Sequence, residues 1–262
     1  MDLNLKGRRA MVTGASAGIG FAICKQLAAE GCNLVMVARS EGPLAKAAAE
    51  LRAAHGIEAE IFAGDVAKEA TQKALGERFG AAVDILVNNA GDVPAGTIEQ
   101  IDQKRWREGW ELKVFGYIAM TREFYSRMRQ KGRGVIVNII GAAGTSGDAN
   151  YLPGTTACAG LEAMTIALGA ASPEHGVRVL GLSPGMVTTD HLKTILRQSA
   201  QAKFGDPEKW TEYMKPLPFG RAAKPEEIAP MVAFMASDHA GYMTGTIVNI
   251  DGGQSRRFRW WQ

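Results

Sequence analysis

An apolar segment ending in Ala10-Met11-Val12 runs into a turn with glycines at positions 14, 18 and 20. Behind the turn, Ile19, Ile23 and Leu27 recur on one face of a helix pattern. Strand, glycine-rich turn and helix in this order leave few folds open. Glycine permits positive φ, lets the backbone approach a pyrophosphate and lets helix and sheet pack closely. The helix start then presents free N–H groups and its positive dipole end to phosphates. A glycine triplet alone marks an ordinary turn as readily; the flanking strand and helix supply the context a dinucleotide site requires.

The rest of the chain repeats the same alternation. Strands are predicted to end near Thr13 and to cover Asn33 to Ala38, Ile57 to Ala63, Asp84 to Asn88, Gly134 to Ile140, Val177 to Ser183 and Thr246 to Ile250. Between them lie helix patterns at Gly18 to Glu30, Pro43 to His55, Lys68 to Phe79, Trp106 to Lys131 and Pro153 to Ser172, with a further helix opening at Pro225. A glycine-rich loop is predicted over Gly141 to Ala149, and a polar, proline-containing insertion over Met186 to Arg221. Regular βα alternation implies a doubly wound, mostly parallel sheet covered by helices on both faces. The 262 residues, with no repeat and no linker, read as a single domain over 1–262 with a substrate-lid insertion at 186–221.

Composition removes several classes of function. The net charge of +3 comes from scattered basic residues, which does not suggest a nucleic-acid binder. No apolar run approaches the roughly 18 residues of a membrane span, and the N-terminus lacks a signal-peptide core. Cys24, Cys32 and Cys158 are too few and too far apart for a disulfide framework or a zinc site. A cytoplasmic setting is the default. The tail Ser255 to Gln262 interleaves cations and aromatics, a mixture suited to a C-terminal arm across a subunit interface.

Ligands of such sheets lie across the carboxyl ends of the strands, so the residues just after each strand are the informative ones. After the second strand come Ala38-Arg39-Ser40, with no acid to hold a ribose 2′-hydroxyl; Arg39 there favours the 2′-phosphate of NADP over NAD, which stays open. Asp65 and Val66 follow the third strand, where Asp65 could meet an adenine amine or cap the next helix.

The segments Thr13-Gly14-Ala15-Ser16-Ala17-Gly18-Ile19-Gly20, Asn88-Asn89-Ala90-Gly91, Ser183-Pro184-Gly185-Met186-Val187-Thr188, Pro225-Glu226-Glu227-Ile228-Ala229 and Thr244-Gly245 with Asp251-Gly252-Gly253 together resemble the short-chain dehydrogenases/reductases over nearly the whole chain. The resemblance implies a Rossmann-type sheet of seven strands and a nicotinamide dinucleotide bound by Gly14, Ser16, Gly18, Ile19, Gly20, Asn88, Ala90, Gly91, Pro184, Gly185, Val187 and Thr188. It also implies a homodimer or homotetramer packed through the two long helices, acting on a small molecule.

The family's catalytic tetrad is an Asn, a Ser and a Tyr-x-x-x-Lys pair. Matching the segments places Lys113 at the Asn, Gly141 at the Ser, Gly154 at the Tyr and Cys158 at the Lys, so all four positions differ. Tyr151 is followed four residues later by Thr155, so a shifted alignment restores nothing. Three readings follow. The first is an oxidoreductase with relocated chemistry, Tyr151 approaching the vacated phenol position from one helical turn earlier and Lys113 bringing an ammonium from the neighbouring helix. Thr145 or Ser146 would supply a hydroxyl. The second is a lyase or isomerase that keeps a bound dinucleotide, with Lys113 as base or nucleophile and Tyr151, Asp148 and His191 as further acid–base candidates. The third is a non-catalytic dinucleotide-binding subunit. Lys113 as a snorkelling lysine and Tyr151 as a packing aromatic remain the plain alternatives for those side chains. Cys158 is expected to be a buried thiol, and Trp210, Tyr213 and Met214 either an apolar wall over substrate or the packing of the insertion itself.

Overall fold

The computed structural model describes residues 1–256; the His191 side chain and the arginine- and tryptophan-rich end, 257–262, lie outside the described residues. Seven strands form one sheet: β1 (Arg9–Thr13), β2 (Asn33–Ala38), β3 (Ala59–Ala63), β4 (Ile85–Asn88), β5 (Gly134–Ile139), β6 (Val177–Pro184) and β7 (Ile247–Ile250), in the spatial order β3-β2-β1-β4-β5-β6-β7. Every neighbouring pair is parallel, so the sheet is wholly rather than mostly parallel. The helices are α1 (Gly18–Ala29), α2 (Glu41–His55), α3 (Glu69–Phe79), α4 (Gln103–Trp110), α5 (Gly116–Lys131), the single turn α6 (Ala143–Ser146), α7 (Leu152–Ala171), α8 (Asp190–Phe204) and α9 (Pro225–Ala236).

Alternate residues of each central strand feed two separate cores. Ala10 and Val12, Leu34 and Met36, Ile85 and Val87 face α1, α2 and α9, packing with Ile23, Leu27, Leu51, Ile228 and Val232. Met11, Val35 and Leu86 face the other way, onto Leu75 and Phe79 of α3 and Met120, Phe124 and Met128 of α5. Strands buried on both faces read as continuous apolar runs, which is why they were legible in the sequence. Burying a side chain of this size is worth roughly 1.5–3 kcal/mol, so the two cores carry the fold.

Three expectations change. The long helix predicted over Trp106 to Lys131 is interrupted by a π-helical turn at Glu111–Phe115, between α4 and α5. The glycine-rich loop after β5 contains the short turn α6. The insertion is mostly helical, with α8 and 3-10 turns at Pro207–Met214 and Pro218–Gly220. It owns a small core: Leu196, Met214, Leu217 and Ala222 are buried, with Met186, Leu192, Trp210 and Tyr213 packed against them. Trp210 and Tyr213 thus hold the insertion together. No helix of the described residues is long and apolar enough to cross a membrane.

Candidate active site

The strand order reverses between β1 and β4, and their carboxyl ends flank the switch point where open α/β sheets bind ligands. A cleft opens there, lined by Gly14, Ser16, Arg39, Ser40, Asp65, Val66, Ala90, Gly91, Asp92 and Leu112 among others. The turn after β1 is a backbone cradle. Gly14 has φ of 69°, and a Cβ on it would come within 2.8 Å of Asn89 Nδ2. A Cβ on Gly20 would collide with the Gly14 carbonyl oxygen and lie 2.5 Å from Asn89 Nδ2. No side chain caps the α1 N-terminus at Ala17, so its first amides remain available to an anion. Ile19 packs against the core beneath.

Residues after β4 brace this turn. Thr13 Oγ1 accepts the backbone N–H groups of Asn89 (2.9 Å) and Ala90 (3.0 Å), and Asn89 Nδ2 donates to the Thr13 carbonyl at 2.9 Å. The bracing roles of Thr13 and Asn89 were missed in the sequence, because the two lie 76 residues apart. Asn88 does not line the cleft. It is buried, its amide donating to Thr121 Oγ1 and Asn138 Oδ1, and it supports the crevice from below.

Asp65 stays in the cleft wall: its Oδ1 accepts the Ala67 N–H at 3.0 Å in a tight turn, while Lys68 holds the N-cap of α3, so Asp65 is not that helix's cap. Arg39 and Ser40 are exposed at the far end, next to no acid of β2. Pro184 closes β6, and Gly185, Val187 and Thr188 follow it. Val187 is buried and bridges to Ala223, and the Thr188 N–H donates to the Ala223 carbonyl at 2.8 Å. Gly185 borders a second hollow, with Pro218, Phe219 and Arg221, rather than the first cleft. Uncapped helix start, glycine cradle and a β2 end without a carboxylate suit a dinucleotide carrying an extra phosphate.

The second half of the site is built from side chains. Lys113 lies in the π turn, which adds a residue to the helical repeat and turns it inward. It is 9% exposed. Its Nζ donates to the Ile139 carbonyl at 2.6 Å and to Tyr117 Oη at 3.1 Å. The stem passes under Gly91: a Cβ there would be 2.5 Å from Lys113 Cδ and 3.3 Å from Nζ. Burial lowers the Lys113 pKa from 10.5 to about 8, with Cys158 partly opposing the shift.

Tyr151 immediately precedes α7, as the proline at 153 predicts. The backbone there is tied down by a bridge to Gly96 and by Trp110 Nε1, which donates to the Pro153 carbonyl at 3.1 Å. The Tyr151 ring fills the space over Gly154: a Cβ built on Gly154 would fall onto ring atoms Cε1 and Cζ. Burial above all, then Cys158 and Asp92, pushes the phenol up to about 12. Cys158 is buried, its Sγ donating to the Ile140 carbonyl at 3.4 Å. It occupies room left by Gly141, whose Cβ would lie 3.3 Å from that sulfur. Burial raises the thiol pKa, and the Lys113 charge pulls against it.

Lys113 and Tyr151 thus both lie near Cys158 without bonding each other. Lys113 Nζ bonds Tyr117 and Ile139 rather than the Tyr151 hydroxyl. Thr145, Ser146 and Asp148 are exposed on the rim; Asp148 shapes the loop, its carbonyl accepting the Tyr151 N–H and the Thr155 hydroxyl. Tyr117 was missed, although its spacing of four from Lys113 was a usable signal.

Sheet, switch-point cleft and glycine cradle define a Rossmann-type α/β protein. The short chain dehydrogenase family matches residues 8–200, and the chain belongs to that family. It is 35% identical over 256 residues to an uncharacterized oxidoreductase of Thermotoga maritima, covering 97% of this chain and 99% of the relative. It is 31% identical over 261 residues to the 3-oxoacyl-acyl-carrier-protein reductase of Aquifex aeolicus, covering 97% and 99%. Among solved structures it resembles L-sorbose reductase from Gluconobacter frateurii complexed with NADPH and L-sorbose, at 29% identity and a TM-score of 0.92 over 98% of this chain and 100% of that one.

Proposed function

We propose that this chain is an NADP(H)-dependent oxidoreductase acting on a hydroxyl or carbonyl group of a small molecule, with all four tetrad positions replaced and Tyr151 as proton donor. The observation that carries this reading is the Tyr151 ring lying over the Cα of Gly154, so that a phenol fills the space a side chain at 154 would take. Gly14, Ser16, Gly18 and the α1 N-terminus would hold the pyrophosphate, Arg39 and Ser40 the 2′-phosphate, and Asp65 and Val66 the adenine. Ala90 and Gly91 would form the floor, and Pro184, Gly185, Val187 and Thr188 the nicotinamide rim. The NADPH carried by the similar L-sorbose reductase supports the choice of cofactor.

When bound, the dinucleotide supplies or accepts the hydride. A neutral phenol with a pKa near 12 keeps its proton at neutral pH and gives it to a substrate alkoxide, a stronger base. Oxidation would need the phenolate, which burial disfavours, so reduction is the favoured direction near neutrality. Lys113, cationic below about 8, uses two of its three donors inside the protein and keeps one for the cofactor or substrate oxygen beside Gly91. The segment 186–221 serves as the lid of a single domain. Phe115 just before α5, Ile118 on α5 and Ile166 on α7 are exposed apolar residues, which suits a homodimer or homotetramer packed through these helices. Three free buried cysteines suit a reducing cytoplasm.

The test is a fluorescence titration with NADPH and NADH, followed by NADPH oxidation against a panel of ketones and ketoses. Tight NADPH binding with turnover lowered at least about tenfold in Tyr151→Phe is the expected result. Binding with product formed but no change in NADPH would make the chain a lyase or isomerase. Binding with no product from any compound would make it a regulatory subunit.

A further inference from the structure

Tyr117 is a buried titratable group to which the chemistry above gives no part. It is 2% exposed and stands one helical turn after Lys113. Its hydroxyl accepts from Lys113 Nζ at 3.1 Å and donates its own proton to the Ile139 carbonyl at 2.9 Å. Lys113 Nζ donates to the same carbonyl at 2.6 Å. The three groups close a triangle at the end of β5. The ammonium also lies 4.6 Å from the centroid of the Tyr117 ring. Ring and hydroxyl therefore do separable work. Phenylalanine would keep the packing and the cation–π contact and remove only the hydroxyl.

We propose that Tyr117 is a positioning residue: its hydroxyl holds the Lys113 ammonium on the Ile139 carbonyl, so that the one remaining N–H is fixed toward the cleft beneath Gly91. The inference rests on the reading of Lys113 as a working member of the site. An ammonium on a four-carbon stem has three rotatable donors, and one acceptor alone leaves it free to spin about that bond. A second acceptor on the neighbouring turn removes that freedom. The arrangement needs a neutral phenol, with one proton for the carbonyl and a lone pair for the lysine. Burial keeps Tyr117 in that form, well above the ordinary phenol range. From α7, Cys158 faces both Lys113 and Tyr117; Glu162 and Tyr151 face Cys158 in turn, and Asp92 faces Tyr151.

The test compares the full-length wild type, Tyr117→Phe and Lys113→Met, each labelled at the lysine Cε with carbon-13. The signal absent from Lys113→Met identifies Lys113, and its titration is followed by NMR alongside the pH dependence of NADPH-linked turnover. Loss of an acceptor disfavours the charged lysine, so Tyr117→Phe is expected to lower the Lys113 midpoint by at least about half a pH unit. The alkaline limb of kcat should move down with it, and kcat should fall about tenfold with KM within about threefold. An unchanged midpoint and an unchanged limb, in a variant melting as a single transition, would reduce Tyr117 to core packing and overturn the proposal. Full turnover in Lys113→Met would instead overturn the role of Lys113 itself, while the NMR midpoint still reports whether Tyr117 holds the ammonium.

Discussion

The cradle after β1 and the pocket before α7 lie at the same edge of one sheet and are made of different material. The cradle is backbone: positive φ at Gly14, uncapped amides at the start of α1, and an approach so close that Gly20 has no room for a Cβ. The pocket is side chain: Lys113 from a π turn, Tyr117 from α5, Tyr151 from the α7 entry and Cys158 from α7. Backbone cradles tolerate almost no substitution, because the glycine is the shape. Side-chain pockets can be rebuilt, since a phenol or an ammonium can reach one point from different positions. Gly154 and Tyr151 are the instance: an absent side chain and a ring from one turn earlier share one volume.

Five measurements set the backbone cradle against the side-chain pocket. The largest loss is expected from Lys113→Met, which should cost about a thousandfold in turnover while leaving the fold and NADPH binding in place. Retained activity would show that the pocket's cation is ornamental. Gly20→Ala attacks the backbone half; the collision with the Gly14 carbonyl should cost about 3 kcal/mol, read as a hundredfold or greater loss of NADPH affinity or as a lower Tm. Normal binding would mean that the cradle is as plastic as the pocket. Tyr151→Phe should lower kcat at least about tenfold with KM little changed. Arg39→Ala should weaken NADPH about fivefold and leave NADH unaltered, measured by the same titration.

The smallest effect is on stability. Folded Lys113 titrates near 8 and unfolded lysine near 10.5, so between those values the unfolded chain binds more protons and stability rises with pH. The destabilisation from burying this charge is full below pH 8 and is relieved as pH climbs toward 10.5. Wild type should therefore gain about 1 kcal/mol on Lys113→Met between about pH 7 and 9, by denaturant titration at each pH. A constant difference would remove Lys113 as the titrating group.

Legibility followed the same division. Gly14, Gly18 and Gly20 announce their turn because strand, turn and helix are contiguous in the chain. The apolar runs of β1, β2 and β4 announce a sheet buried on both faces. The π turn at Glu111–Phe115 left no trace in periodicity, since one extra residue is lost inside a long helical pattern. The helices of the insertion were hidden because their apolar residues, Leu196, Met214 and Leu217, pack on one another rather than on the main core. Asn88 read as a cleft residue and proved to be a strut, its direction set by Thr121 and Asn138, which lie 33 and 50 residues away.

The order of strands and helices and the glycine cradle followed from residue identity and short-range spacing, so they could be read from the chain alone. Long-range packing was needed to place the Tyr151 ring in the room over Gly154, to bond Lys113 to Tyr117 and Ile139, and to bring Cys158 near both lysine and tyrosine. Those outcomes depend on volumes and hydrogen-bond partners contributed by β5, α5 and α7 together, and no local stretch of chain encodes where three elements meet.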